Sequence, residues 1–295
     1  MSWTTAPLLR GLLDDAAVFP PAATPLPDAV RDHGGHRRSW YAWCVGPLLV
    51  PAASVAELIA VLTDERPGTT AVPSAAALDV VLVSRPGSDP AVLAAGLHVL
   101  RDEVGIHVVG VELGWEHGWR ELGLEDVAVV LEVPRGPDQA VAVADVRTAV
   151  GEGRPVLAKF RTGATPTWEW PDATELGAFL LLAAGLQVPF KLTGGLHHAV
   201  RGTYEVAGVA EENHGVLNVL LATAAALEDA GPEEIAAVLE LTDGGALAEL
   251  VGAWTTATTA DVRRAFTAYG CCTVTDPIGE LADLGLLPRP DEGPP

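Results

Sequence analysis

The chain of 295 residues has 18 basic side chains of lysine or arginine, and only two of them, Lys159 and Lys191, are lysines. Guanidinium stays charged at any working pH, whereas a lysine amine can lose its proton and attack a carbonyl carbon. Each lysine follows a short apolar run, 156–158 and 188–190, and so stands at the end of a predicted buried strand. On neighbouring strands the two amines would lie about 5 Å apart, and we expect repulsion and burial to lower one pKa. This pair predicts Schiff-base chemistry.

Carboxylates end two further predicted strands, at Glu112 and Glu132. A carboxylate beside the amine can take and return the proton that the reaction moves. We therefore predict that both glutamates belong to the catalytic set. The alternative is that each lysine pairs with a glutamate inside the protein as a buried ion pair with no catalytic role.

An anion site is predicted beside the lysines. We expect the Gly-Gly turn after the second lysine to open a helix over 194–201, whose free N–H groups bind anions. Arginines on either side can grip phosphate or carboxylate bidentately. The alternative is a tight turn with surface arginines. The predicted binding residues are Arg161, Thr193, Gly194, Gly195 and Arg201.

Histidines supply further candidates. His197 is predicted to be a general acid or base. His214 and Asn218 stand one turn apart on a predicted helix and are predicted to contact the substrate. Because the spacing of the possible ligands fits no standard zinc pattern, we expect no metal. Neither the G-x-G-x-x-G fingerprint nor a P-loop is present, and we expect no cofactor.

The elements that must position these residues follow a regular rhythm. Short, continuous apolar runs at 40–50, 78–83, 105–113, 127–133, 155–162 and 188–193 alternate with helices or short loops. Continuous apolar strands are typical of a parallel sheet covered on both faces. We predict an α/β protein of one domain, a (β/α)8 TIM-type barrel over 41–287. Residues 1–40 are predicted to be an irregular segment packed on the barrel, and 288–295 a loose tail. A strand is predicted at 270–275, and another in 203–209 or 235–241.

Composition limits the partners. A formal charge of -21 argues against electrostatic binding of this chain to nucleic-acid backbones or anionic lipid, because like charges repel. The first residues lack the pattern of a signal peptide, and no apolar run approaches the length of a membrane span. We expect a cytoplasmic protein with a small-molecule substrate and no nucleic-acid or membrane partner, and these patterns are compatible with a homodimer.

Two segments carry a family resemblance. Lys159-Phe160-Arg161-Thr162-Gly163 and Phe190-Lys191-Leu192-Thr193-Gly194-Gly195 resemble the two lysine motifs of deoxyribose-phosphate aldolases and related class I aldolase barrels. The resemblance covers roughly residues 155–200 and implies that Lys159 forms a Schiff base tuned by Lys191. Two departures stand out: Arg161 replaces a small residue, and the family's aspartate strand motif has no clear counterpart. The chain as a whole also resembles an uncharacterised family of bacterial and plant proteins, which implies no activity.

Three functions are compatible with these patterns. The first is an aldolase or lyase that forms a Schiff base at Lys159 with a small carbonyl substrate bearing an anionic group. The second is an isomerase or lyase that stabilises an enolate, with or without a divalent metal. The third is a non-catalytic protein that binds an anionic metabolite.

Overall fold

The computed structural model describes residues 5–64, 77–165, 168–206 and 209–289, and its centre is a closed barrel of eight parallel strands. Seven strands follow one another around the barrel in chain order, and the last strand closes it between the seventh and the first. The barrel strands are β1 (Leu13–Asp15), β2 (Val45–Pro51), β3 (Leu78–Val83), β4 (Ile106–Gly114), β5 (Ala128–Glu132), β6 (Val156–Arg161), β7 (Phe190–Thr193) and β10 (Phe266–Cys271). The predicted (β/α)8 architecture is confirmed.

Helices surround the barrel. Asp89, Asp172, Asp243 and Thr255 cap four of them by accepting a backbone N–H in the first turn. The helices are α1 (Ala6–Leu9), α2 (Leu26–His36), α3 (Val55–Asp64), α4 (Pro90–Leu100), α5 (Gln139–Gly151), α6 (Ala173–Gly185), α7 (Val216–Leu227), α8 (Pro232–Leu239), α9 (Gly244–Gly252), α10 (Thr256–Ala265) and α11 (Thr275–Asp283). A short 3-10 turn at Trp119–Leu122 stands between β4 and β5 in the place of a longer helix.

The strands bury both faces. Leu48, Val80 and Leu82 belong to the large core between the barrel wall and the helices. Their alternating neighbours Leu49 and Val81 belong to a separate small cluster inside the barrel. Because successive side chains of a strand point to opposite faces, both faces need apolar residues, and this explains the continuous apolar runs.

The first strand was not predicted. β1 lies within 1–40, where we expected only an irregular segment outside the barrel, yet it pairs with β2 and β10. Two of its three residues are aspartates, so it lacks the apolar pattern of its neighbours. As a result the two lysines lie on the sixth and seventh strands, one later than the sequence count placed them.

The last third of the chain also differs from the prediction. The 203–209 candidate falls in an antiparallel hairpin of β8 (Gly202–Val206) and β9 (Val209–Asn213) outside the barrel, with 207–208 outside the described residues. The 235–241 candidate falls largely in α8. The predicted 270–275 strand begins earlier, at Phe266. In the predicted loose tail, Arg289 donates to Asp283 at 2.6 Å, and 290–295 lie outside the described residues.

Candidate active site

Six charged side chains meet inside the barrel. Contacts between strands that are not neighbours, β6 with β4 and β7 with β1 and β4, require these side chains to cross the interior. Backbone register places Glu132, Lys159 and Lys191 at one level on three adjacent strands. The six are Asp14 on β1, Glu112 on β4, Glu132 on β5, Lys159 and Arg161 on β6, and Lys191 on β7, and we call them the interior charge cluster.

Glu112 joins the two lysines. Its Oε2 lies 2.8 Å from Nζ of Lys159, and its Oε1 bonds Nζ of Lys191. Lys159 also lies 2.9 Å from Oε2 of Glu132, and Lys191 bonds the carboxylate of Asp14. All five side chains are buried. The predicted residues Lys159, Lys191, Glu112 and Glu132 are therefore brought together, with each ammonium between two carboxylates.

Arg161 ends the chain of contacts on the solvent side. Its Nε lies 2.8 Å from Oε1 of Glu132 and its Nη2 lies 3.2 Å from Oε2. The side chain is 29% exposed, whereas that of Lys159 is 2% exposed. Three cations and three carboxylates alternate, so the cluster has no net charge when all are ionised.

The lysine pKa values move opposite to the prediction. Burial lowers the pKa of Lys159, but the charges of Glu112 and Glu132 outweigh burial and raise it overall. The pKa of Lys191 is raised in the same way, with Asp14 and Glu112 outweighing burial. The predicted lowered amine pKa is wrong because the lysines do not face each other alone: carboxylates stand between them. Both are ammonium ions at neutral pH.

The three carboxylates differ from one another. Burial raises the pKa of Glu112, but the two lysine charges outweigh it and lower the pKa to about 2. The pKa of Glu132 is also lowered, since Lys159 and Arg161 outweigh burial. For Asp14 burial prevails over the Lys191 charge, and its pKa is raised. Asp14 is therefore the carboxylate of the cluster that gains a proton most readily.

Sequence reasoning did not place Asp14 in the catalytic set. A signal lies thirty-two positions further along, at Gly46 on β2. A Cβ added there would overlap Oδ1 of Asp14, so the glycine leaves the space that the carboxylate fills. This pairing depends on barrel register and cannot be derived from either segment alone.

The Gly194-Gly195 turn is present, but it opens no helix. Both glycines have φ near +70° (71° and 72°), and 196–201 lead into the β8–β9 hairpin. A Cβ on Gly195 would overlap the Trp170 ring, and Thr162 donates to the carbonyl of Gly194. The expected helix N-terminus over 194–201 is wrong, because α7 begins only at Val216. Thr193 ends β7 at the level of Arg161, on the same face as Lys191.

The other predicted residues lie around the hairpin. His197 is buried, with Nδ1 3.4 Å from Sγ of Cys272, and burial lowers its pKa. His214 contacts the Pro171 carbonyl at 2.8 Å through Nε2, and its Nδ1 lies 3.5 Å from Nη1 of Arg201. Arg201 also pairs with Glu212. The His214 contact joins the end of the hairpin to the loop after β6, whereas His197 contacts the residue that follows β10. None of these contacts involves the interior charge cluster.

Asn218 has a structural environment. Its Oδ1 accepts from the backbone N–H of Arg201 at 2.9 Å. Its Nδ2 donates to the carbonyls of Val238 and Leu241 at 3.0 and 2.8 Å. These backbone contacts account for its complete burial on α7.

Comparison with known proteins leaves the site to be interpreted from its own geometry. The chain matches no protein-family model, no curated protein and no solved structure. Within the described ranges, no group of three or more histidine, cysteine, aspartate or glutamate side chains is arranged to hold a metal ion. No described helix combines the length and hydrophobicity needed to cross a membrane.

Proposed function

We propose that the protein is an enzyme that removes and returns a proton beside the carbonyl group of a small substrate, as enolising isomerases and lyases do. The interior charge cluster carries this proposal: two ammonium ions and three carboxylates lie in contact, at the level of the carboxyl end of β5, where Glu132 is the last residue. Active sites of this fold lie at that end.

The cost of burying these charges supports a chemical role. Replacing a buried ion pair by well-packed apolar residues is often neutral or stabilising. In this barrel the β2 and β3 side of the interior is filled by Leu49, Val81 and Val83. Apolar side chains can therefore fill the interior of this barrel. The stability of the fold alone does not explain why six charged side chains occupy the other side.

Lys159 is the proposed electrophile. An ammonium has three N–H donors, and the carboxylates of Glu112 and Glu132 account for two of them. The third is proposed to bind the substrate carbonyl oxygen. A fixed positive charge at that oxygen stabilises the enolate that forms when the neighbouring carbon loses a proton.

Asp14 is the proposed proton acceptor. A general base works best when its pKa lies near the working pH, and Asp14 is the carboxylate whose pKa is raised. The C–H electron pair becomes the C=C bond, the carbonyl pair moves onto oxygen beside Lys159, and the proton goes to Asp14. The reverse step returns it. Glu112 and Glu132, with lowered pKa values, remain anions that hold the cations in place.

A Schiff-base lyase is the second candidate, favoured by the contact of Lys159 with two carboxylates that can accept its proton. After that transfer the amine would add to the carbonyl carbon and water would leave. The raised pKa of Lys159 opposes the first step, since the proton must leave an ammonium that both carboxylates stabilise.

Exchange of α-hydrogens tests the proposal. The protein is incubated in D2O with hydroxyacetone, propanal or pyruvate, and deuterium should replace the α-hydrogens of the compound. Proton NMR measures the rate of this exchange. We expect Lys159→Met and Asp14→Asn to lower the exchange rate at least about 100-fold, the scale of general acid–base contributions. The control Asp79→Asn removes an exposed carboxylate of β3 and should leave the exchange rate unchanged.

Borohydride separates the two candidates. Enolisation without an imine predicts exchange with no borohydride-dependent mass increase on Lys159. A covalent adduct on Lys159 would favour the Schiff-base lyase. Absence of exchange with every carbonyl compound, or full exchange in Lys159→Met, contradicts both.

A further inference from the structure

Arg161 presents one unoccupied edge at the barrel mouth. Nε and Nη2 donate to Glu132, which occupies one edge of the guanidinium. A guanidinium has five N–H donors, and those on Nη1 meet no acceptor within the described ranges. Gly194 leaves that edge open, since a Cβ there would come to 3.3 Å from Nη1. This edge is shaped for the two oxygens of a carboxylate.

The open edge lies close to the proposed electrophile. Lys159 Nζ and Arg161 Nη2 both contact Oε2 of Glu132, at 2.9 and 3.2 Å. Because they share one oxygen atom, the two nitrogens lie at most about 6 Å apart, the two contact lengths combined. Any substrate that binds both groups must therefore carry its carbonyl and its anion close together.

We infer that the substrate is a 2-oxo acid, with its carboxylate on the open edge of Arg161 and its keto oxygen on Lys159. This inference rests on the proposed function. In a 2-oxo acid the keto oxygen and the nearest carboxylate oxygen are about 3 Å apart, so bonds of about 2.9 Å at each end can bridge two donors that lie no more than about 6 Å apart. In a phosphate ester such as dihydroxyacetone phosphate, one carbon and one ester oxygen separate the carbonyl carbon from phosphorus. When that chain is extended, the terminal oxygens lie about 5 Å from the carbonyl oxygen and fit more distant donors.

Titration calorimetry with pyruvate tests the inference. The comparison ligands are propanoate, which lacks the keto group, hydroxyacetone, which lacks the carboxylate, and dihydroxyacetone phosphate. We expect pyruvate to bind more tightly than all three. Arg161→Gln should raise the pyruvate dissociation constant at least about 10-fold, the scale of one charged hydrogen-bonding group. Arg161→Lys should recover part of the lost affinity for pyruvate, because lysine keeps the positive charge but lacks the planar pair of N–H donors.

Arg264→Gln is the matched control, since Arg264 is 73% exposed on α10 and pairs only with Asp261 among the described residues. Circular dichroism of each variant tests whether it is folded like the wild type. Tighter binding of dihydroxyacetone phosphate than of pyruvate, unchanged pyruvate affinity in Arg161→Gln, or no pyruvate binding would each overturn the inference. If wild-type protein exchanges hydroxyacetone hydrogens but does not bind pyruvate, the substrate class is wrong and the proposed function stands. If it exchanges no carbonyl compound, the proposed function itself fails.

Discussion

At the scale of single residues, the carboxylates on either side of each ammonium ion decide the protonation states of Lys159 and Lys191. The scarcity of lysine and its position after apolar runs pointed to Lys159 and Lys191, which the structure places in one cluster with Glu112 and Glu132. The protonation state depends on which carboxylates stand between the amines. That is decided by contacts across the barrel, between residues far apart in the chain, and no local pattern contains it.

Glu112 is the residue on which the two lysines depend for charge balance. Glu112→Gln leaves two buried ammonium ions with one fewer counter-ion each. We expect a loss of about 3–5 kcal/mol in unfolding free energy at pH 7, measured by urea denaturation. Glu57→Gln, at an exposed position of α3, is the control and should change stability by less than about 0.5 kcal/mol.

The pH dependence of that stability has a definite sign. The folded-state pKa of Glu112, about 2, lies below its ordinary value of 4.5. Ionised Glu112 therefore stabilises the fold above pH 4.5, and this contribution disappears as pH falls from 4.5 towards 2. Wild type should lose more stability between pH 7 and pH 3 than Glu112→Gln does. Equal losses would show that Glu112 is not held as a buried anion.

At the scale of elements, apolar periodicity located six strands, because each buries side chains on both of its faces. The same criterion missed β1, whose inward residue, Asp14, is charged and whose outward residue, Asp15, contacts Nδ1 of His33 on α2 at 2.9 Å. It also gave no means of distinguishing the β8–β9 hairpin from a barrel strand, since pairing partners decide that. A strand of three residues with two aspartates contains no apolar run, whereas β4, β5, β6 and β7, which also carry residues of the cluster, each contain one.

The contact between β1 and β2 yields a prediction of its own. Gly46→Ala places a methyl group where Oδ1 of Asp14 lies, so the carboxylate must move away from Lys191. We expect α-hydrogen exchange to fall at least about 10-fold while the circular dichroism spectrum is retained, because the change acts on proton transfer. Gly35→Ala, in α2 with open space around it, is the control and should be neutral or stabilising by about 0.5–1 kcal/mol. Undiminished exchange in Gly46→Ala would exclude Asp14 as the proton acceptor.

At the scale of the whole molecule, two distributions of charge coexist. The chain carries a net charge of -21, whereas the interior cluster combines three cations with three carboxylates. Each cation of the interior cluster therefore contacts one or two specific carboxylates of the same cluster. A barrel built from eight strands makes this possible, because side chains from β1, β4, β5, β6 and β7 reach a common interior.

Both lysines are buried ammonium ions in one cluster, and the protonation state of each can be measured directly. Labelling with 15N-lysine gives one side-chain signal for each of the two lysines, and their NMR titration reports each protonation state. We predict that both remain ammonium ions to pH values above the ordinary 10.5, and that Glu112→Gln shifts both signals. If either lysine loses its proton below pH 9, or if either signal is unchanged in Glu112→Gln, the two amines are not ammonium ions held by a shared carboxylate.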